Sequence, residues 1–325
     1  MFLEIENLNK SYSGKEILKD INLRINRGEL VSIVGPSGAG KTTLLKIISG
    51  IESPDTGSLV SADTSSGRNR PILVFQDYVL FPNMTVFENI AFGLRAGKTG
   101  SGEINSRVNE IMSFFKIGSL AGRYPSQISA GEKQRTAIAR ALVLNPPMIL
   151  LDEPFANLDK NLKNETAGFI RYTQREFGIT MVSVTHDLKE AFMISDRIGV
   201  MINGRILQYD TPIEIYKSPA TIDVASLLGD INILPAEIAQ KLYAGRQSLS
   251  GPLVCVRPES VKLELSEDGD GIVLNAAFAG HYSTVAVKYM DIELHSFITN
   301  SGINESFNTG DKVKISIDQI IQFKE

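Results

Sequence analysis

Apolar and polar positions alternate through Phe2-Leu3-Glu4-Ile5-Glu6-Asn7-Leu8. They do so again, after a Ser13-Gly14 turn, through Glu16-Ile17-Leu18-Lys19-Asp20-Ile21-Asn22-Leu23-Arg24-Ile25. Runs of this kind, bounded by turn residues, predict strands from Met1 to about Glu29, with Arg27-Gly28 as the closing turn. The pattern then changes. Leu30-Val31-Ser32-Ile33-Val34 is a nearly continuous apolar run, as expected of a strand buried on both faces. The residues from Thr42 to Ile48 continue as a helix that Gly50 stops. From Ile51 to about Arg70 the chain is polar and predicts short antiparallel strands and loops. Pro71 to Phe75 predicts another buried strand, ending at Gln76. Asp77 to about Asn145 predicts mostly helix, with a flexible glycine-rich stretch at 97–102. Strand–helix alternation resumes at Met148-Ile149-Leu150-Leu151-Asp152, Gly178 to Thr185 and Arg197 to Met201.

After about Asp230 the texture shifts to short strands separated by turns: Leu253–Arg257, Val261–Leu265, Gly271–Phe278, Thr284–Tyr289, Ile292–Phe297 and Lys312–Ile317. That is the pattern of a small all-β barrel or sandwich. A length of 325 residues fits two domains better than one. The net charge of −4 gives no global pointer to nucleic acid. The single cysteine, Cys255, cannot form an internal disulfide and fits a reducing compartment. No apolar run is long enough to span a bilayer and no leader pattern stands at Met1, so any membrane connection is expected to run through a partner.

The candidate chemistry lies in two separated segments. Gly35-Pro36-Ser37-Gly38-Ala39-Gly40-Lys41-Thr42 matches GxxxxGK[ST] in full, between a buried strand and a helix. Its glycines let backbone N–H groups approach phosphate at a helix N-terminus. Lys41 is expected to reach the β- and γ-phosphates and the Thr42 hydroxyl to bind Mg²⁺, with Thr43 beside it. The plain alternative is a glycine-rich turn with a surface lysine, and the strand–loop–helix context weighs against it. Far downstream, Asp152 ends an apolar strand where it can hold Mg²⁺, and Glu153 can orient and deprotonate an attacking water. Alone, such a pair is an ordinary acidic strand end; with the phosphate loop it becomes a site.

With Ile128-Ser129-Ala130-Gly131-Glu132-Lys133-Gln134-Arg135 added, nearly the whole chain resembles the ATP-binding-cassette ATPases. The segment is similar to that family's signature, usually Leu-Ser-Gly-Gly-Gln, which caps the γ-phosphate of ATP bound to the opposite subunit. Ala130 departs from the pattern, removing one glycine from the phosphate-facing turn. Ser129 followed three residues later by Glu132 is equally a plain helix cap. The resemblance implies a P-loop ATPase domain over 1–230, with a helical subdomain at about 77–145, and an oligonucleotide-binding-like β domain over 235–325. It implies ATP and Mg²⁺ as cofactors. Tyr12 corresponds to the aromatic that stacks on adenine, and Gln76 to the glutamine that senses Mg²⁺. Ser129 and Gly131 correspond to the signature donors. Asn157-Leu158-Asp159 matches the loop that meets the other subunit, and His186 the histidine that contacts the γ-phosphate. His281 and His295 are taken as structural.

The linker Gln208-Tyr209-Asp210-Thr211-Pro212-Ile213-Glu214-Ile215-Tyr216, with Pro219 and Leu228-Gly229-Asp230-Ile231-Asn232, is similar to that of importers. So are Val256-Arg257-Pro258-Glu259 and Gly310-Asp311-Lys312-Val313. The expected assembly is a head-to-tail homodimer at the cytoplasmic face of the inner membrane. Permease subunits would dock near Asp77–Phe92, and a solute-binding protein would act indirectly. Relatives import polyamines, ferric iron, sulfate, molybdate or sugars, with the first classes and the oxyanions favoured by fold-level analogy. The rival readings are a soluble ATPase of the same superfamily acting on DNA or ribosomes, and a regulatory binding module in the C-terminal β domain.

Overall fold

The computed structural model describes residues 1–62, 70–156, 158–243, 245, 249, 251–300 and 307–323. Residues 63–69 of the expected strand-and-loop stretch lie outside the described residues, as does Asn157. The chain divides into two compact units, Met1–Pro212 and Ile213–Glu325.

In the first unit the alternating N-terminal runs form β1 (Leu3–Tyr12) and β2 (Lys15–Ile25). With β4 (Thr56–Ser61) they make an antiparallel sheet in the order β2-β1-β4. The continuous apolar runs behave differently, because a strand covered on both faces has no polar side to show. These are β3 (Leu30–Val34), β6 (Met148–Asp152) and β7 (Thr180–Thr185), and every residue in them is buried. They join β5 (Ile72–Val74), β8 (Arg197–Ile202) and β9 (Arg205–Asp210) in one sheet of order β5-β6-β7-β3-β8-β9. All of its pairings are parallel except β8 with β9. The β5 strand is shorter and more open than its apolar run predicts, and Phe75 is 40% exposed.

Helix α1 (Lys41–Ile48) follows β3. The helical region contains α2 (Val86–Ala96), α3 (Ser101–Phe114) and α4 (Ala130–Leu142). Residues 77–85 ahead of it form turns rather than helix. Within the stretch read as flexible, α3 already begins at Ser101, capped by Gly100. Helices α5 (Lys160–Phe177) and α6 (Leu188–Ile194) flank β7 in sequence. Two hydrophobic cores result. One gathers Phe2, Leu18, Ile33, Ala39, Leu44 and Leu150 under the phosphate loop. The other gathers Val86, Ile90, Phe115, Ile128, Ile138, Leu151 and Phe155 in and below the helical region.

The second unit opens with two short helices, α7 (Pro212–Lys217) and α8 (Ile222–Leu227), in the segment read as a linker. Arg257 explains why that segment belongs with the later strands: Nη1 donates to the carbonyls of Ala225, Gly229 and Asp230. Its guanidinium also lies 4.4 Å from the Tyr216 ring centroid. Strands β10 (Asn232–Pro235) and β11 (Leu253–Val256) pair antiparallel, with α9 (Ala236–Leu242) between them. The main sheet holds β12 (Val261–Leu265), β13 (Gly271–Phe278), β14 (Tyr282–Tyr289), β15 (Ile292–Thr299) and β16 (Lys312–Ile317), in the order β12-β16-β13-β14-β15. Its two edge strands are drawn together by side chains. The Ser296 hydroxyl donates to the Val261 carbonyl at 2.7 Å, which partly closes the sheet in the manner of an oligonucleotide-binding-like barrel.

Candidate functional site

Parallel register builds the site. Val34 pairs with Thr185, Asp152 with Val184, and Val74 with Leu151. The residues that follow each strand therefore emerge together at the carboxyl edge of the sheet, where open α/β sheets bind ligands. The phosphate loop emerges after β3, Gln76 after β5, Asp152 and Glu153 at the end of β6, and His186 after β7.

The loop can be built only with glycine at two points. A Cβ on Gly35 would stand 2.0 Å from the Met201 carbonyl oxygen. Gly40, at the start of α1, has φ +103 and would press a Cβ against Leu18 and the Ile17 carbonyl. Lys41 is buried, and its ammonium donates to the Gly35 carbonyl at 2.7 Å and the Pro36 carbonyl at 3.0 Å. Burial lowers the Lys41 pKa, while the charges of Glu153 and Asp152 oppose that shift. Thr42 Oγ1 donates to Asp152 Oδ1 at 3.2 Å, joining the loop to β6. Burial raises the Asp152 pKa; the Thr42 hydrogen bond works against this, and the neighbouring Glu153 charge adds to it.

Glu153 sits at φ +45, a left-handed conformation that costs a non-glycine residue on the order of 1–3 kcal/mol. Its N–H still completes the parallel ladder to the Val184 carbonyl at 3.0 Å. The turn brings its carboxylate to 3.2 Å from Nδ1 of His186. Behind His186 lies a polar network. The Asp187 N–H donates to Thr185 Oγ1, Thr185 donates to Glu190, and Glu190 pairs with Lys163 of α5 at 2.7 Å. Asp159 caps that same helix, its carboxylate accepting from Asn161 N–H at 2.9 Å and Leu162 N–H at 3.0 Å.

Tyr12 ends β1 and is 41% exposed, and its hydroxyl donates to Glu52, which also pairs with Lys46 of α1 at 3.3 Å. Bonding to that carboxylate raises the Tyr12 pKa. Ser129 is the N-cap of α4 in a complete capping box. Its N–H donates to Glu132 Oε2 at 2.7 Å, and its Oγ accepts from Glu132 N–H at 3.4 Å. Gly131 lies under Leu162 of α5, where a Cβ would stand 3.1 Å away.

The structure thus gathers Gly35, Ser37, Gly38, Gly40, Lys41, Thr42, Thr43, Gln76, Asp152, Glu153 and His186 at the carboxyl edge of one sheet. Ser129 and Gly131 lie instead at the start of α4, with Gly131 against Leu162 of α5. Sequence reasoning assigned no role to Gln134, Lys163, Glu190 or Arg140. A glutamine or glutamate on the apolar face of an amphipathic helix, as Gln134 is with Ala137, Ile138 and Ala141, was the available signal, but only the fold supplies the partners.

The ABC transporter family pattern matches residues 18–156. The spermidine/putrescine import ATP-binding protein PotA of Haemophilus ducreyi is 39% identical, over 95% of this chain and 90% of its own. The sulfate/thiosulfate import ATP-binding protein CysA of Nitrosomonas europaea is 40% identical over 83% and 80%. The Fe(3+) ions import ATP-binding protein FbpC of Vibrio cholerae is 36% identical over 94% and 93%. Among solved structures, cbiO1 of Clostridium perfringens, part of the ABC transporter complex cbiONQ, superposes with a TM-score of 0.62. It is 33% identical and covers 66% of this chain and 90% of its own. A dimeric ATP-binding cassette in a post-hydrolysis state with ADP and Pi gives 0.57 at 32% identity, covering 65% and 98%. This chain belongs to the ATP-binding-cassette family of transporter ATPases.

Proposed function

We propose that the chain is the ATP-hydrolysing subunit of a membrane importer and works as a head-to-tail homodimer. The observation that carries this is the convergence of the phosphate loop, the Thr42–Asp152 hydrogen bond and the Glu153–His186 pair on one sheet edge. Backbone N–H groups of Gly38 and Gly40, with Ser37, Lys41 and Thr43, would hold the phosphates of ATP, and Tyr12 would face the adenine. Thr42, Asp152 and Gln76 are the oxygen donors suited to Mg²⁺, which prefers hard ligands. Glu153 would orient the attacking water and take its proton, and His186, 3.2 Å from Glu153, would contact the γ-phosphate. Charge stabilisation and positioning then do most of the chemistry.

Two features favour a shared site. Ser129 caps α4, whose Ala137 and Ile138 belong to one core, whereas Ala39 of the loop and Leu44 of α1 belong to the other, so a second copy is the natural source of signature donors. Asp159 caps α5 beside Gly131 and Leu162, in reach of such a partner. Among the described residues no helix is long and apolar enough to cross a membrane. Attachment would therefore go through permease subunits at Asp77–Phe92, where Val79 is 56% and Phe92 40% exposed. The relatives name polyamines, sulfate or thiosulfate, and ferric iron as cargo. A small solute of one of these classes, delivered by a solute-binding protein, fits best.

The test is Glu153→Gln. It should bind ATP and accumulate as a closed dimer on size-exclusion chromatography while hydrolysis falls by about 10²–10⁴. Hydrolysis at the wild-type rate would overturn the reading.

A further inference from the structure

The segment directly after Gln76 has no regular structure, yet two side chains from different helices fix its backbone. Tyr78 and Val79 are consecutive left-handed residues, at φ +59 and +37. For a β-branched valine that conformation is out of the ordinary and must be held from outside. Arg140 of α4 holds it. Its Nη1 donates to the Val79 carbonyl at 2.9 Å and its Nη2 to the Tyr78 carbonyl at 3.1 Å. The guanidinium also lies 5.4 Å from the Phe81 ring centroid. Asn89 of α2, fully buried, takes the other end. Its Oδ1 accepts from Phe81 N–H at 2.8 Å, and its Nδ2 donates to the carbonyls of Phe81, Met84 and Thr85 at 3.0–3.1 Å.

The planar guanidinium presents one N–H donor from each of two nitrogens to the two carbonyls in a fixed geometry, a rigidity that the rotatable ammonium of a lysine does not supply. Arg140 lies eleven residues beyond Ser129 on the same helix, about 16 Å along its axis at 1.5 Å per residue. We infer that Arg140 is a positioning residue for hydrolysis. By holding the Tyr78–Val79 turn it fixes Gln76 at the sheet edge and joins that residue rigidly to the helix that carries Ser129.

This rests on the proposed function, and the experiment separates the two. ATP hydrolysis by the purified full chain is measured for Arg140→Ala, Arg140→Lys and Lys41→Ala. Arg140→Ala is also combined with Val79→Asn, since asparagine tolerates a left-handed φ without the clamp. Expected are a kcat about tenfold lower in Arg140→Ala with KM for ATP within twofold, and an intermediate loss in Arg140→Lys. Val79→Asn should recover at least threefold of the lost rate. If Arg140→Ala does not fold, the same rescue is read in the Arg140→Lys background. A wild-type kcat in Arg140→Ala, or a loss that Val79→Asn leaves untouched, overturns the inference. A wild-type rate in Lys41→Ala would instead remove the functional reading beneath it.

Discussion

The Gln134 side-chain amide donates to the Pro154 carbonyl at 2.9 Å, so the helix that Ser129 caps is anchored one residue beyond Glu153. Thr166 of α5 donates back to Gln134 Oε1 at 3.1 Å, making the amide a junction of three elements. Gln134→Ala leaves the Pro154 carbonyl and the Thr166 hydroxyl without this partner in a buried place, at a cost of about 1–3 kcal/mol. A thermal melt should drop by several degrees, and an unchanged Tm would mean that the junction is dispensable.

The carboxylate of Asp152 is costly to the fold. Burial raises its pKa above the ordinary aspartate value, so across the window between the unfolded and folded pKa values the native state holds more protons. Stability therefore falls as pH rises through that window, and the ionised form is destabilising at neutral pH. Asp152→Asn, which keeps an oxygen for Thr42, should melt higher than wild type at pH 7 while losing hydrolysis. The difference should shrink toward pH 4. A lower Tm at pH 7 would contradict this linkage.

Lys163 and Glu190 form the ion pair behind His186. Burial raises the Glu190 pKa, opposed by the Lys163 and Thr185 hydrogen bonds. Lys163 is a third exposed, which screens the pair and limits its coupling to about 1–2 kcal/mol. A double-mutant cycle of Lys163→Met and Glu190→Gln should return that coupling. Glu190→Gln alone should be mild, because its amide oxygen can still accept from Thr185. A coupling near zero would make the network ornamental.

Shared sites make a prediction of their own. Ser129→Ala and Lys41→Ala preparations should each hydrolyse ATP poorly. A mixed dimer regains one site built from wild-type Lys41 of one copy and wild-type Ser129 of the other. Mixing should restore activity well above the mean of the two preparations; no gain at any ratio would argue for sites completed within one chain.

The phosphate loop and the acidic strand end were legible because their strand and turn chemistry is local, whereas the segment around Ser129 was legible locally only as a helix cap. Glycine at position 35 is required by a carbonyl 2.0 Å from where a Cβ would be, and Gly40 by its positive φ. The buried strands were legible from unbroken apolar runs. Phe75 was misread because the same run continued to the strand's exposed end. The short helices at 212–227 were hidden in a linker, since single-turn elements carry too little periodicity to be seen.

By itself the sequence determined which residues line the sheet edge, since period, turn chemistry and loop composition are local properties. Only the tertiary structure decided how those residues are held. Glu153 meets His186 because parallel register aligns β6 with β7. Gln134 finds Pro154, Arg140 finds Tyr78 and Val79, and Lys163 finds Glu190 across 20 to 62 positions of chain. Such pairings depend on which surfaces pack together when the two cores close, and no short-range pattern along the chain records that.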